Sequence, residues 1–557
     1  MIDPPFRPVN GSRGAVVAPH QLASEAGLEI LRAGGNAVDA AIATNAALAV
    51  VSAHSCGLGG DAFWLIWPGE GGPWPAGSDA QPPRSAGGAP KRLVGLNGSG
   101  RAGSLATIER LREAGHTNMP MWSPLSITVP GAVRSWGNAH ARFGSLPFSE
   151  LLEPAIELAE GFPASAGWIG AIERAAAQFG TDGGWAQVFR AHGRPWQEGE
   201  TVRLAPLAAT LRRLAGDGPA DFYQGALGAR QADFLAEAGA FITAPDLAAH
   251  TSTWTRPIGI PYRDALATSH PPNSSGVIAL LTLAILERFA PPRNEFDANW
   301  IHTAIEASRL ALEDRESELA EPEAMAPGAL EGLLDPSHAA GLALRIDPRR
   351  SGIARPSAIP RGGGTVFLAA ADRWGGLVSL LQSNWHGFGS GVVDPQTGIA
   401  YQDRGVSFSL DPSHPNALAP GKRTAHTLTP GMLFRDGRPW VAHGSMGGEV
   451  QPQVYAQVVS ALVDRDVDVA TAVSAPRWGL QTRSILEPPE HLLLESRFPD
   501  ALVDDLAARG YPIRMLEPYD SAVGHCHAIE VRRRADGAID GFAAATDPRS
   551  EGAPAVF

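Results

Sequence analysis

Two apolar segments joined by a short polar turn constrain the fold of this chain more than any other part of its sequence. Residues 366–371 and 377–382 are largely apolar, and residues 372–376 between them read Asp-Arg-Trp-Gly-Gly. Apolar runs of this length on either side of a glycine-containing loop predict a β-hairpin. The chain should therefore contain a buried sheet with this hairpin inside it.

The register of the hairpin pairs two hydroxyl residues. If Ala371 faces Leu377, antiparallel counting places Thr365 opposite Ser383. Directly opposed side chains in a sheet lie about 4.5–5.5 Å apart at Cβ, so the two hydroxyl groups should be within reach of each other. Taken alone, this pattern is typical of an ordinary cross-strand pair.

A polar, Pro/Gly-rich stretch over 345–364 leads into the first strand and ends in three glycines, 362–364. Self-cleavage before Thr365 would require its hydroxyl to attack the carbonyl of Gly364, and glycine permits the necessary backbone geometry at little steric cost. The released amine of Thr365 could then serve as the base for its own hydroxyl. A mobile linker entering a sheet suits such a processing site, although a flexible turn is the simpler explanation of the glycines alone.

A second glycine-rich corner follows another predicted strand. Residues 444–448 end in Gly447 and Gly448 and lie between an apolar strand at 439–443 and a helix over 452–463. Adjacent glycines allow two backbone N–H groups to point into one space near a helix start, which suits a developing oxyanion. Read alone, the segment is also typical of a plain strand–turn–helix corner.

The rest of the sequence alternates helix and strand signals. Apolar spacing of three to four residues predicts two helices within 21–51, the second from Ala37 to Val51 behind a cap at Asn36. Further helices are predicted over 149–161, 205–215, 226–239 and 297–320, and further strands at 399–402 and 431–434.

Charge and terminal sequence limit the partners of the chain. The formal net charge is −13 and no block of Lys or Arg occurs, which argues against nucleic acid or a membrane surface as partner. Residues 1–8 lack the basic start and apolar stretch of a signal peptide, so a cytoplasmic location is expected. The apolar run 37–51 contains polar residues and is interpreted as a buried helix, not a membrane span.

Cysteines and histidines give no indication of a metal or cofactor. Cys56 and Cys526 stand in no metal-type spacing, and two free thiols are favoured over one long-range disulfide. The histidines have no cysteine or carboxylate at a ligand spacing, so structural or solvent-facing roles are expected for them. Those considered are His386, His414, His426, His443, His525 and His527.

Ordered motifs along nearly the whole chain resemble the γ-glutamyltranspeptidase family. They lie at 11–18, 30–41, 57–61, 271–276, around Thr365, and at 388–391, 422–423, 447–448, 475–477 and 547–549. The resemblance implies an α/β (α+β) fold, the four-layer αββα sandwich of the N-terminal-nucleophile hydrolases. It also implies self-cleavage into a large subunit, 1–364, and a small subunit, 365–557, which together form one body and act through an acyl-enzyme.

The same resemblance implies roles for individual residues. Thr365 is similar to the nucleophile of the family, and Ser383 to the hydroxyl residue that bonds to it. Gly447 and Gly448 resemble the oxyanion hole. The predicted cleavage lies between Gly364 and Thr365.

The substrate pocket implied by the resemblance departs from the family pattern. The acid that holds the substrate's α-amino group is replaced by Ser407, and the glutamine position nearby carries Arg404. An asparagine position carries Trp385, and a serine pair appears as His426-Thr427. The large-subunit arginine is not cleanly matched. The substrate-binding residues carried over are Arg101, Asn384, Trp385, Arg404, Ser407, His426 and Thr427.

These departures predict the substrate class. Losing a carboxylate removes the charge-assisted partner of a substrate ammonium, a contact worth about 1.5–3 kcal/mol. Arg404, at the nearby glutamine position, makes the pocket more receptive to carboxylates. The hypothesis is a hydrolase of small amides whose acyl group carries a carboxylate but needs no α-amine, such as glutaryl amides or oxamate.

Two other functions stay open. A true glutathione hydrolase or transpeptidase would be stimulated by an acceptor dipeptide. A processed but inactive binding scaffold would cleave no amide at all. The preference for water or amine acceptors, and assembly of the processed subunits into a dimer, also stay open.

Overall fold

The computed structural model describes residues 7–74, 88–190, 193–353, 364–481 and 491–557. The helices in these ranges are α1 Gln21–Arg32, α2 Ala37–Val51, α3 Ile108–Glu113, α4 Ala132–Phe143, α5 Phe148–Glu160, α6 Ala166–Phe179, α7 Gly184–Phe189, α8 Ala205–Asp217, α9 Asp221–Gln224, α10 Ala226–Glu237, α11 Ala244–Ala249, α12 Gly276–Leu286, α13 Ala298–Glu318, α14 Ala329–Leu333, α15 Pro336–Ala343, α16 Gln451–Asp464, α17 Val469–Ser474 and α18 Asp500–Ala508.

The strands of the same ranges are β1 Val9–Gly11, β2 Gly14–Val17, β3 Asp61–Trp67, β4 Val94–Gly98, β5 Phe162–Pro163, β6 Thr201–Val202, β7 Thr253–Thr255, β8 Ile258–Tyr262, β9 Ala265–Ser269, β10 Gly364–Asp372, β11 Leu377–Trp385, β12 Gly431–Arg435, β13 Arg438–Ser445, β14 Trp478–Gln481, β15 His491–Glu495, β16 Ile513–Leu516, β17 Cys526–Arg533, β18 Ile539–Ala545 and β19 Ala555–Val556. Two seven-stranded sheets have the orders β1-β18-β17-β13-β12-β9-β8 and β19-β2-β10-β11-β3-β4-β7.

The two large sheets stack face to face, with helices covering both outer faces. Along β10, Val366 and Leu368 pack into a core shared with α2, whereas Phe367 and Ala369 pack into a core shared with the other sheet. This alternation is the period-two pattern of a strand buried on both faces. On the far side, helices α12, α13 and α16 share a core with the second sheet. The expected four-layer αββα sandwich is confirmed.

Each large sheet contains strands from both sides of position 364. In one sheet β10 lies between β2 and β11, and β11 pairs in turn with β3. In the other sheet β12 pairs with both β9 and β13. Neither the part before position 364 nor the part after it therefore builds a complete sheet alone.

The turn of the β10–β11 hairpin is tied to the start of α2 by one carboxylate. Asp372 Oδ1 accepts hydrogen bonds from the backbone N–H groups of Trp374 at 2.9 Å and Gly376 at 3.0 Å. Its Oδ2 accepts from the N–H of Ala37 at 2.9 Å and the indole of Trp74 at 3.0 Å. A negative group at a helix start also interacts favourably with the helix dipole. This contact fixes the hairpin against the helical layer.

Most of the predicted elements are confirmed, including the hairpin and its register, with Thr365 opposite Ser383. The cap at Asn36 is confirmed by hydrogen bonds from the N–H groups of Val38 and Asp39 to its side chain. The two cysteines are free, as favoured. Gly362 and Gly363 lie outside the described residues.

The strand predicted at 399–402 is wrong. Ala400 and Tyr401 instead form isolated bridges to Val393 and Gly59. Residues 399–401, Ile-Ala-Tyr, form a buried connection between elements. A buried connection is apolar for the same reason as a buried strand, so the two cannot be distinguished over three residues. In the described part of the chain, no helix has both the length and the apolar character needed to cross a bilayer.

Candidate active site

Thr365 and Ser383 meet at the end of the β10–β11 hairpin, on the face that points between the two sheets. The Thr365 hydroxyl donates a hydrogen bond to Ser383 Oγ at 2.9 Å. Both side chains are buried, with Thr365 only 2% exposed. The strand register therefore holds the two hydroxyl groups in one fixed arrangement.

The Ser383 hydroxyl connects this pair to the preceding peptide and to a buried cation. It donates to the carbonyl oxygen of Gly364 at 2.6 Å. It accepts from the backbone N–H of Trp385 at 2.9 Å and from Nη2 of Arg404 at 3.2 Å. One serine thus contacts the Thr365 hydroxyl and the carbonyl next to it at the same time.

Position 364 accommodates only glycine. The pairing of β10 with β11 shifts by one residue between Gly364 and Thr365, which places Gly364 opposite Trp385. A Cβ built on Gly364 would overlap the backbone carbonyl of His386. Since that neighbour is backbone, it cannot turn aside, and the bulge depends on the missing side chain.

The glycine-rich corner lies beside this pair. Strand β13 ends at Ser445, and Gly447 and Gly448 follow with φ angles of 131° and 57°. Such positive φ angles strain residues other than glycine. The corner leads through a short 3₁₀ turn into α16, and the first N–H groups of a helix have no partner within the helix. Gly447 lines the same cleft as Thr365.

Thr365 and this corner open onto a cleft of about 850 Å³. Its wall includes the aromatic residues Trp122, Phe179 and Phe388 and the apolar residues Met446, Leu480, Leu493 and Leu516. Polar groups that also line it include His54, His386, Glu449 and His525. The cleft is large enough for a substrate well beyond the size of a simple amide.

Arg404 is a buried cation behind Ser383. Its guanidinium lies 4.1 Å from the ring centroid of Trp385, and Nη1 donates to Thr427 Oγ1 at 3.3 Å. Burial lowers its pKa to about 10. Nε of Arg404 and the indole N–H of Trp385 are buried without a hydrogen-bond partner among the described residues. The predicted residues Trp385, Arg404 and Thr427 are thus brought together.

Asp61 lies opposite Ser383 in the sheet and forms the centre of a second group of polar contacts. Its Oδ1 accepts from the N–H of Gly100 and from Nε2 of Gln402, both at 2.8 Å. Nε2 of His426 lies 3.3 Å from Oδ2, and Nδ1 of His426 accepts from the N–H of Leu428. His426 is therefore the tautomer that donates to Asp61. Burial raises the pKa of Asp61 to about 7 and lowers that of His426.

The other predicted substrate residues lie apart from the Thr365 hydroxyl. Arg101 donates to the carbonyl of Gly421 at 2.9 Å and pairs with Glu321 at 3.3 Å. Ser407 is half-buried and its carbonyl accepts from an asparagine side chain. Asn384 is buried, and neither polar atom of its side chain has a hydrogen-bond partner among the described residues. The residues that line the cleft include none of these three.

Three residues near the cleft, Glu449, His386 and Asp403, had no site role predicted from the sequence. Glu449 directly follows the twin glycines and pairs with Arg315 at 2.7 Å, and burial raises its pKa. Nδ1 of His386 lies 2.6 Å from Oδ2 of Asp403. Adjacency to the glycines could have indicated Glu449, whereas the histidine–aspartate pair has no signal in sequence spacing. Within the described ranges, no three His, Cys, Asp or Glu side chains are grouped as metal ligands.

Comparison with known proteins places this arrangement in a family. The sequence profile described as gamma-glutamyltranspeptidase matches residues 23–75 and 86–557. The glutathione hydrolase-like YwrD proenzyme of Bacillus subtilis is 36% identical over 549 residues, which cover 98% of both chains. The oxamate amidohydrolase proenzyme of Klebsiella pneumoniae is 37% identical over 559 residues, 98% of this chain and 99% of that protein.

Among solved structures, cephalosporin acylase from Bacillus halodurans superposes with a TM-score of 0.87 and 36% identity, covering 100% of this chain and 99% of the acylase. Profile, sequence and structure thus agree over almost the whole length, and the chain belongs to the γ-glutamyltranspeptidase family.

Proposed function

We propose that the chain is a proenzyme that cleaves itself between Gly364 and Thr365 and then hydrolyses amides through an acyl-enzyme on Thr365. One observation carries the proposal: the hydrogen bonds from Thr365 to Ser383 at 2.9 Å and from Ser383 to the Gly364 carbonyl at 2.6 Å. They join an attacking hydroxyl to the carbonyl it would attack. Cleavage there divides the chain into 1–364 and 365–557.

In the processing step, Thr365 Oγ attacks the carbonyl carbon of Gly364. The bond from Ser383 polarises that carbonyl, because a donor on the oxygen stabilises its developing negative charge. The C–N bond breaks, the nitrogen takes the hydroxyl proton, and an ester joins Gly364 to Thr365 Oγ. Water then hydrolyses the ester, which leaves a free amine and a free hydroxyl on Thr365.

In turnover, the new amine of Thr365 takes the proton of its own hydroxyl as the oxygen attacks a substrate amide. The N–H groups of Gly447 and Gly448 would donate to the oxyanion that forms. The amide C–N bond breaks, and the leaving nitrogen takes the proton. Water finally releases the acyl group from Thr365 Oγ.

The relatives support an amide hydrolase made as a precursor. Two of them are named as proenzymes, one a glutathione hydrolase-like protein and the other an oxamate amidohydrolase. A third is named as a cephalosporin acylase. Their different substrates leave the acyl group of this chain to be inferred from its own residues.

We favour a substrate whose acyl group carries a carboxylate and needs no α-amine. Within the described ranges, Nε of Arg404 and the indole N–H of Trp385 are buried donors without a partner, and such groups are normally satisfied. Because the guanidinium stacks on the indole, both donors belong to one small region behind Ser383. A substrate carboxylate reaching this region after cleavage would satisfy them.

Glu449 favours a second candidate, an acyl donor with an α-amine as in γ-glutamyl compounds. Its side chain lines the cleft beside Gly448, and its Oε1 has no hydrogen-bond partner among the described residues. A substrate ammonium could bind this oxygen. The Glu449 carboxylate would then take the role of the acidic residue whose position is occupied by Ser407 in this chain.

Intact mass of the purified protein tests the nucleophile. The wild type should appear as two pieces divided after Gly364, and Thr365→Ala as one chain that turns over no amide. Processing of Thr365→Ala at the wild-type rate would refute the proposal. Glutaryl and γ-glutamyl p-nitroanilides then separate the two candidates, since strong preference for the γ-glutamyl compound, lost in Glu449→Gln, would favour the second.

A further inference from the structure

One face of the small three-stranded sheet β14-β15-β16 forms part of the cleft wall. On β15, Leu492 and Leu494 pack into the core that contains α12, α13 and α16, whereas Leu493 between them lines the cleft. On β16, Leu516 also lines the cleft, and it forms a separate apolar cluster with Leu493 and Val523. Because side chains alternate between the two faces of a strand, this sheet contributes one face to the core and the other to the cleft.

Aromatic side chains form further parts of the same wall. Phe388 is buried and Phe179 is half-buried, and their ring centroids lie 5.9 Å and 6.2 Å from that of the buried Trp185. Trp122 is half-buried, with its ring centroid 5.4 Å from that of His386. All of these residues except Trp185 line the cleft. The cleft therefore has a large apolar surface that does not belong to the catalytic pair.

The backbone of Trp122 is strained. Its φ angle is 50°, in the left-handed region that bulky residues rarely adopt. Strain of this kind is found preferentially at binding and catalytic sites, where the surrounding structure holds it. This favours a role for the Trp122 ring in the cleft over a role in the core.

The two halves of a substrate amide would lie in different places around Thr365. Thr365 and Gly447 line the cleft, whereas Ser383, Trp385 and Arg404 do not. In the favoured substrate, the carboxylate binds the buried donors of Trp385 and Arg404 and the carbonyl carbon lies at Thr365 Oγ. Only the amine of the amide is then left to extend into the cleft.

We propose that the cleft binds the leaving amine of the substrate, and that this amine carries a bulky, predominantly apolar group. The inference rests on the proposed acyl-enzyme at Thr365 and identifies the other half of the amide. The bond broken is the amide C–N bond of the proposed turnover, and the amine leaves with the hydroxyl proton of Thr365.

The size of the cleft and the character of its wall both favour such an amine. A primary amide releases ammonia, which is similar in size to a water molecule and occupies about 30 Å³. Ammonia would leave nearly all of the 850 Å³ cleft in contact with water. Removing apolar surface from water is the main favourable contribution to association, and only a large apolar group can do so here. Amides of large apolar amines should therefore be better substrates than amides of small ones.

Alkyl amides that differ only in size test the inference. Methylamine and hexylamine are similarly basic, so their amides with one acyl group are similarly reactive. A buried CH₂ group strengthens binding about fourfold, so burial of half of the five additional CH₂ groups gives about 30-fold. In the processed protein, kcat/KM for the hexylamide should exceed that for the methylamide by about this factor. Both the glutaryl and the γ-glutamyl pair are assayed by the amine that they release.

Variants of the wall show where the apolar group binds. Trp122→Ala and Leu516→Ala should each lower the ratio of the two kcat/KM values about fivefold, whereas Trp122→Phe keeps an aromatic ring and should retain most of the ratio. Met515→Ala is the matched control, because Met515 precedes Leu516 on β16, is 46% exposed and does not line the cleft. It should keep the wild-type ratio. A loss of folded protein lowers both kcat/KM values equally and cancels in the ratio.

The outcomes separate this inference from the proposed function. Equal kcat/KM values for the two amides, with turnover that Thr365→Ala abolishes, would overturn the inference and leave the proposed function in place. A wild-type ratio in both Trp122→Ala and Leu516→Ala would do the same. Turnover that persists in Thr365→Ala, or a wild type that cleaves no amide of either acyl series, would reject the proposed function together with the inference.

Discussion

Replacing Ser383 by alanine should slow self-cleavage and leave a protein that is less stable but still folded. Two of the four contacts of this hydroxyl involve reacting groups, the Thr365 hydroxyl at 2.9 Å and the Gly364 carbonyl at 2.6 Å. A neutral hydrogen bond contributes about 0.5–1.5 kcal/mol, so losing both costs about 1–3 kcal/mol. Each 1.36 kcal/mol is tenfold in rate, and cleavage should therefore be about 5- to 150-fold slower.

The other two contacts decide the effect on stability. The N–H of Trp385 and Nη2 of Arg404 would lose their acceptor in Ser383→Ala. Each buried donor without a partner costs about 1–3 kcal/mol, so the loss of both acceptor contacts should lower the free energy of unfolding by about 2–6 kcal/mol. The protein should nevertheless fold, because the apolar faces of the hairpin are unchanged.

The assay is a time course of intact mass after cell-free synthesis, with circular dichroism to confirm folding. Ser383→Thr keeps a hydroxyl and should be cleaved. Ser379→Ala removes a hydroxyl from the same strand and face, where it bonds only to the carbonyl of His443 at 3.4 Å, and should be cleaved at the wild-type rate. A folded Ser383→Ala protein that is cleaved as fast as the Ser379→Ala control would refute the reasoning.

Three further predictions follow from the same geometry. Gly364→Ala should remain a single chain with a lower unfolding midpoint than Thr365→Ala, because its Cβ would overlap the His386 carbonyl; cleavage at the normal rate would contradict this. Asp372→Ala should lower the free energy of unfolding by about 3 kcal/mol or more in urea titrations, since four donors lose their acceptor at the hairpin turn; an unchanged midpoint would argue against it. Asp61 has its pKa raised to about 7 by burial, so its neutral form stabilises the fold below about pH 4 and this stabilisation is lost as the pH rises through 7. Between pH 5 and 8 the stability of Thr365→Ala should therefore fall more steeply than that of Thr365→Ala with Asp61→Asn, and parallel pH curves would show that Asp61 does not titrate there.

The hairpin could be predicted from the sequence because its pairing depends only on residues that are close to each other along the chain. Apolar runs flanking Asp372 to Gly376 set the register, and the register alone brings Thr365 opposite Ser383. The layer architecture came instead from the resemblance to a family. The strand predicted at 399–402 was wrong, because a buried connection and a strand have the same apolar composition over a few residues.

The surroundings of the site could not be predicted because they depend on distant segments. Asp403 reaches His386 across a 17-residue separation through a loop with no periodic pattern. Asp61 meets His426 across 365 residues. Arg404 is buried behind Ser383 and does not line the cleft wall. This placement depends on the packing of its own segment against β11 and against the segment of Thr427, which no single segment of the sequence indicates.

The mixing of strands from both sides of position 364 has a consequence for a processed protein. A cut after Gly364 would leave β10 paired on both edges, with β2 of the 1–364 piece and with β11 of its own piece. The cut would thus remove a covalent link without releasing either product. Unfolding then becomes dissociation, and recovery after heating should fall on dilution, since two polypeptides must meet again to rebuild sheets that the precursor assembled as a single molecule.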